Sequence, residues 1–156
     1  MKQFQRILVA IDFSEYSQAT VEHAAILARE LGAEMNIVNV INQRDVNTMD
    51  YSINRLNIYR KNMSLEGWIE GMKEERAKEM ARLEKTVDLS GIRYTFTVRI
   101  GDPFQELLKA VTDGKAEMVV MGAKGRSDLG DFLVGSTASK MFRRCPVPLV
   151  TVRNLK

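Results

Sequence analysis

Gly122, Gly125 and the run Gly135-Ser136-Thr137 are residues through which a chain can hold an anion. Gly122 and Gly125 let backbone N–H groups approach an anion with no Cβ in the way, and turns of this kind form concave N–H nests. Gly135-Ser136-Thr137 heads an expected helix, where unpaired N–H groups and the helix dipole favour negative charge. The Ser136 and Thr137 hydroxyls can donate as well, and Lys124 and Arg126 add positive charge beside the first turn. The segment is neither a P-loop nor the dinucleotide pattern G-x-G-x-x-G. Asp12 has the opposite chemistry. A carboxylate accepts hydrogen bonds, which suits the hydroxyls of a ribose better than a phosphate. Backbone groups near Val40 can meet the edge of a base.

The remaining chemistry-bearing residues exclude other classes. His23, on the first helix, is the only histidine, which excludes a metal site built on several histidines and a Ser-His-Asp triad with a loop-borne base. Glu74, Glu75 and Glu79 interleave with Arg76, Lys78 and Arg82, and this pattern predicts a solvated helix face with weak ion pairs. Cys145 is the only cysteine, so no disulfide forms within the chain; a buried thiol in a reducing compartment is expected. Asp128 and Asp131 lie between the glycines. They are expected to face water on the intervening turn, the alternative being that one helps hold a divalent ion beside the phosphates. Trp68 fits a place over the ligand, over a partner, or in ordinary packing. The net charge is only +3 and the basic residues are spread along the chain, which does not argue for nucleic acid. The start is too short in apolar residues for a secretory leader and no run approaches a membrane span, so a cytoplasmic protein is expected.

These residues need elements to position them. Ile7–Ile11 is a continuous apolar run, expected as a strand covered on both faces and ending at Asp12. Ser14 is placed to cap a helix whose apolar face is Val21, Ala24, Ala25, Ala28 and Leu31, with Gly32 as its C-terminal glycine. Met35–Ile41 is a second strand. Residues Asn42 to Met63 are polar and predict a loop or irregular insertion. A helix resumes at Ser64, with Gly67 and Gly71 weakening its first turns. Ile92–Ile100 alternates with period two, the pattern of a strand with one open face. Asp102, Pro103 and Gln105 then fit a capped helix start. Glu117–Met121, a helix over Ser136–Arg144, and a strand over Val147–Val152 complete the chain. Pro148 in the last strand argues for an edge.

The order predicts one α/β domain over residues 1–156, a three-layer open parallel five-stranded sheet with helices on both faces. The most apolar strands should be central, which gives the order 3-2-1-4-5 and places Asp12 and Gly122 at the switch point between the first and fourth strands.

The spacing G-x-x-G, nine residues, G-S-T, here Gly122, Gly125, Gly135, Ser136 and Thr137, resembles the ATP-binding signature of the universal stress protein family. The start Ile7-Leu8-Val9-Ala10-Ile11-Asp12-Phe13-Ser14 and the end Val147-Pro148-Leu149-Val150-Thr151-Val152 are similar to that family's first and closing strands. The resemblance implies a Rossmann-like, adenine nucleotide alpha hydrolase-like fold. It further implies that Asp12 contacts the ribose, that the Ala10 and Val40 backbones lie at adenine, and that Met121 and Gly122 line the ribose side. Gly125, Gly135, Ser136 and Thr137 would hold the phosphates, with Lys124 and Arg126 nearby. Separately from the resemblance, Mg2+ or Mn2+ is the divalent ion that could accompany the phosphates. The resemblance also implies a homodimer through the last strand, which fits an apolar edge that needs covering.

The expected function is a nucleotide-dependent regulatory switch in stress response, acting through an unknown protein partner, with no membrane or nucleic-acid role. A slow ATPase or phosphoryl-transfer enzyme is the first alternative, and Asp12 is then the nearest candidate to activate water. A dimeric interaction module with no ligand is the second.

Overall fold

The computed structural model describes residues 3–56, 63–124 and 134–153. The strands are β1 (Arg6–Ala10), β2 (Glu34–Asn42), β3 (Tyr94–Gly101), β4 (Met118–Gly122) and β5 (Leu149–Val152); the helices are α1 (Ser17–Leu31), α2 (Gln43–Leu56), α3 (Leu65–Glu84), α4 (Pro103–Asp113) and α5 (Ser136–Arg144). The sheet is parallel throughout, in the order β3-β2-β1-β4-β5, as the hydrophobic runs imply.

Side chains alternate across the sheet, so each central strand feeds two cores. Ile7, Val9, Ile37 and Val120 pack under α1 and α3, through Val21, Ala24, Ala25, Ala28 and Met80. Leu8, Val38, Val119 and Met121 pack under α4 and α5, through Phe104, Leu107, Ala110, Ala138 and Met141. Ile7, Leu8 and Val9 are fully buried, each stabilising the fold by ~1.5–3 kcal/mol relative to exposure. That two-sided burial is why β1 carries no polar residue between Ile7 and Ala10.

Local signals set most helix ends. Gly32 closes α1 in the left-handed conformation, with φ 64°. Ser64 Oγ caps α3 by accepting from Gly67 N at 3.0 Å. Asp102 accepts from Gln105 N at 3.0 Å at the head of α4, ahead of Pro103. Two expectations are corrected. Ser14 is not the N-cap of α1: Tyr16 holds that position without a side-chain cap, and Ser14 Oγ accepts from Tyr16 N in the turn before it. Residues 43–56 are not an irregular loop but the helix α2. Its apolar stripe is short, Val46 and Ile53 with Met49 half-buried between them. Those positions follow helical spacing, and the surrounding Asn, Arg and Asp residues face solvent. Its contacts are to β2, β3 and α3.

Candidate functional site

β1 and β4 lie side by side and end together: Ala10 is in register with Met121 on one side and with Val38 on the other. The chain leaving β1 becomes α1, on one face of the sheet; the chain leaving β4 returns as α5, on the other. Divergent helices open a crevice at the carboxyl ends of the two strands.

Asp12 stands at that end, half-buried. Its Oδ1 accepts from Ser14 N at 2.9 Å and lies 3.4 Å from the Ser17 hydroxyl. The carboxylate is therefore fixed by an Asx turn, and Oδ2 takes no hydrogen bond among the described residues. Phe13 follows with φ 59°, a left-handed backbone uncommon for a bulky residue. The pattern of types gave no warning of this, because Phe is not a residue that selects that conformation.

On the β4 side, Gly135 N donates to Ala123 O at 3.0 Å, so the chain comes back to the end of β4 before α5 begins. Gly135 is the N-cap of α5 and supplies no side-chain cap. The first N–H groups of the helix, at Ser136 and Thr137, are left with the positive end of the dipole. Ser136 is exposed and Thr137 half-buried.

Gly122 also has a local reason to lack a side chain. A Cβ there would lie 3.1 Å from Lys124 O, 3.5 Å from Thr20 Oγ1 and 3.5 Å from Tyr16 Cβ. Only the Lys124 carbonyl would be crowded by a side chain; Thr20 and Tyr16 would meet it at ordinary contact distance. Ala10, Val40 and Met121 all lie on the α4/α5 face, with Ala10 and Val40 partly buried and Met121 buried. Lys124 is half-buried just past β4. Gly125, Arg126, Asp128 and Asp131 lie outside the described residues.

Next to Val40 in the register is Arg99. Arg99 reaches Glu106 at 3.0 Å and Asp113 at 3.1 Å, and Lys109 reaches Glu106 at 2.8 Å. The hydrogen bond from Lys109, with that from Arg99, holds the Glu106 carboxyl below its ordinary range against the opposing effect of burial. This network braces α4 on β3.

Two residues near Asp12 escaped the sequence reading. Asn39, 2% exposed, donates through Nδ2 to Ile11 O at 2.9 Å. Its signal was present: it is the lone polar residue in the run from Ile37 to Ile41. Arg76 is not on a solvated face as its charged neighbours suggest. Its side chain is 11% exposed, bonded to Glu79 at 2.9 Å and set over the Phe13 ring at 6.0 Å. His23 is exposed, and Cys145 is half-buried against the α4/α5 core. Among the described residues no cluster of three or more His, Cys, Asp or Glu could hold a metal ion.

The model of the universal stress protein family matches residues 3–153. A relative named universal stress protein MJ0577, from Methanocaldococcus jannaschii, is 23% identical over 154 residues, covering 96% of this chain and 95% of its own. A solved structure of MJ0577 superposes with a TM-score of 0.73 at 21% identity, over 99% of both chains. A universal stress protein solved in complex with cAMP aligns at TM-score 0.60 and 20% identity, over 97% of this chain and 98% of its own. One from Archaeoglobus fulgidus in complex with dAMP aligns at 0.60 and 16%, over 97% and 100%. These likenesses show the same Rossmann-like parallel sheet.

Proposed function

The chain belongs to the universal stress protein family, and from that premise we propose that it holds an adenine nucleotide, ATP, at the β1/β4 switch point and acts as a nucleotide-dependent regulatory protein in stress response. The observation that carries this is the pairing, at one end of the sheet, of a turn-fixed Asp12 carboxylate with the uncapped start of α5. One presents an acceptor for ribose hydroxyls, the other N–H donors and dipole for phosphates. Two structures of the same fold are complexes with adenine nucleotides, cAMP and dAMP, which supports the ligand class.

In this reading the Ala10 and Val40 backbones meet adenine, and Met121 and Gly122 flank the ribose. Gly125, Gly135, Ser136 and Thr137 hold the phosphates, with Lys124 and Arg126 beside them. A Mg2+ or Mn2+ ion would be held chiefly by phosphate oxygens and water, as Mg2+ commonly is with nucleotides. Phosphoryl transfer needs a positioned nucleophile. Asp12, the nearest carboxylate, has its better role at the ribose hydroxyls. The site is therefore built to hold ATP rather than to consume it. We also assign a homodimer through β5, which is an edge of the sheet, and a cytoplasmic location. No helix among the described residues is long and apolar enough to cross a membrane.

The test is calorimetry of the purified protein with ATP, together with the ultraviolet spectrum and mass of any small molecule released on denaturation. Bound or titratable adenine nucleotide, lost in Gly135→Trp, is expected. A nucleotide-free protein that ATP does not titrate overturns the reading.

A further inference from the structure

Arg76 is a largely covered cation, its side chain 11% exposed, in a helix most of whose other charges face water. Nη1 is paired to Glu79 Oε2 at 2.9 Å, but Nε is buried with no hydrogen-bond partner among the described residues. An unpaired donor on a buried guanidinium is unfavourable, so the side chain is retained there against a cost. What it covers is the Phe13 ring, 6.0 Å from the guanidinium carbon.

Phe13 is where the backbone is strained. Its φ of 59° places a bulky residue in the left-handed region, and such conformations persist only where the surroundings over-determine them. Here the ring is held on two sides. Phe96 meets it edge to face, with centroids 5.9 Å apart and planes at 76°, and Arg76 lies over it. Phe13 directly follows Asp12, and Ile11, directly before it, is tied by the Asn39 side chain. Both chain neighbours of Asp12 are thus fastened by side chains that play no part in the nucleotide contacts assigned above.

We propose that Arg76 is a positioning residue for the nucleotide site: clamped on the Phe13 ring and held by Glu79, its guanidinium keeps the backbone at Phe13 left-handed and so sets the Asp12 carboxylate toward the ribose hydroxyls. This rests on the nucleotide-binding reading. It also makes α3, which packs on β3 far along the chain from the glycine segment, part of the machinery that senses the sugar.

The test compares ATP with 2′,3′-dideoxy-ATP, which lacks the hydroxyls that Asp12 would bind. Calorimetry is run on the unmodified protein, Arg76→Met, Arg76→Lys, Asp12→Asn and the Arg76→Met/Asp12→Asn double variant, each checked for a native near-ultraviolet spectrum. Met keeps the stem without the charge; Lys keeps a cation and serves should Met not fold. Arg76→Met is expected to weaken ATP ~5- to 30-fold, the range a desolvated cation–π contact supports. Dideoxy-ATP should change less than twofold, and Arg76→Lys should fall between. In the Asp12→Asn background the Arg76 substitution should have no further effect. Equal weakening of both nucleotides, or ATP binding unchanged in both Arg76 variants, overturns the proposal while leaving nucleotide binding intact. An unmodified protein that binds neither nucleotide removes the nucleotide-binding reading and this inference with it.

Discussion

The side-chain amide of Asn39 donates to the carbonyl of Ile11 over 2.9 Å, extending the contact between β2 and β1 past the last backbone bond, Ile11 N to Val38 O at 3.0 Å. Asn39 is 2% exposed, so no water competes for that carbonyl. Asn39→Ala leaves the Ile11 oxygen buried and unpaired, and the expected loss is ~1–3 kcal/mol. Asn39→Asp should cost more at neutral pH, because a buried carboxylate would face a carbonyl. Urea unfolding of the two variants checks this; an Ala variant as stable as the parent would mean that the bond contributes nothing.

The uncapped start of α5 makes a graded prediction about the ligand. Each phosphate charge held by helix N–H groups and dipole is favoured by ~0.3–1 kcal/mol, screened by salt. Affinity is therefore expected to rise from adenosine through AMP to ATP, and that slope should flatten as salt is raised. Titrations at two salt concentrations measure it. Adenosine binding as tightly as ATP would place the phosphates away from Ser136 and Thr137.

Glu106 provides a pH signature. Its folded pKa lies below the ordinary value, through the Lys109 hydrogen bond first and Arg99 after it. A depressed carboxyl stabilises the fold above its unfolded pKa of about 4.3, and that contribution is lost as pH falls through the lower folded pKa. Glu106→Gln should therefore be less stable at pH 7 by ~1.5–3 kcal/mol for a charge-assisted bond. The lower end is expected because Lys109 is 62% exposed. Between pH 5 and 3, about where such carboxyls titrate, the variant should lose less stability than the parent. Thermal melts across that range decide it, and parallel curves would contradict the assignment.

The sheet order was readable from which runs were most apolar, because β1, β2 and β4 are central and β3 alternates. The caps at Gly32 and Asp102 were readable because each depends on one local residue. α2 was not, since a stripe of Val46, Met49 and Ile53 is thin beside its polar residues and earns its helix from packing on β2, β3 and α3. The places of Asp12, just past β1, and of Gly135-Ser136-Thr137, at the head of α5, were legible because strand and helix ends carry local signals. The covering of Arg76 and the left-handed backbone of Phe13 were not, because the contact between them joins residues far apart in sequence. Gly122 was singled out for a ligand; the nearby Lys124 carbonyl, which a Cβ would meet at 3.1 Å, was not legible because it depends on the turn after β4.

The dimer assigned through β5 depends on its outer edge. Pro148 O accepts from Val119 N and Val152 O from Ala123 N, both at 2.9 Å, so the even-numbered residues bond to β4. Strand geometry turns the main-chain groups of Thr151 the other way. Thr151→Pro should then remove an outward N–H without touching the β4 ladder. Light scattering is expected to show a dimer for the parent and a monomer for the variant. A dimer that survives the proline must be built on another surface.

α3 separates two effects of glycine. Gly67 and Gly71 both lie in the helix, and either costs ~1 kcal/mol relative to Ala there. A Cβ at Gly71 meets nothing within 4 Å, whereas at Gly67 it would come 2.9 Å from Ser64 Oγ, the atom that caps the helix. Displacing that cap costs ~1 kcal/mol, about what the added methyl gains. Gly71→Ala should therefore raise the stability of the protein by up to ~1 kcal/mol, and Gly67→Ala should leave it nearly unchanged. Combining Gly67→Ala with Ser64→Ala removes the clash and the cap together, so the double variant should match Gly67→Ala. Thermal unfolding of the four proteins tests this directly, and a Gly67→Ala gain equal to that at Gly71 would show that the Ser64 cap does not hold the start of α3.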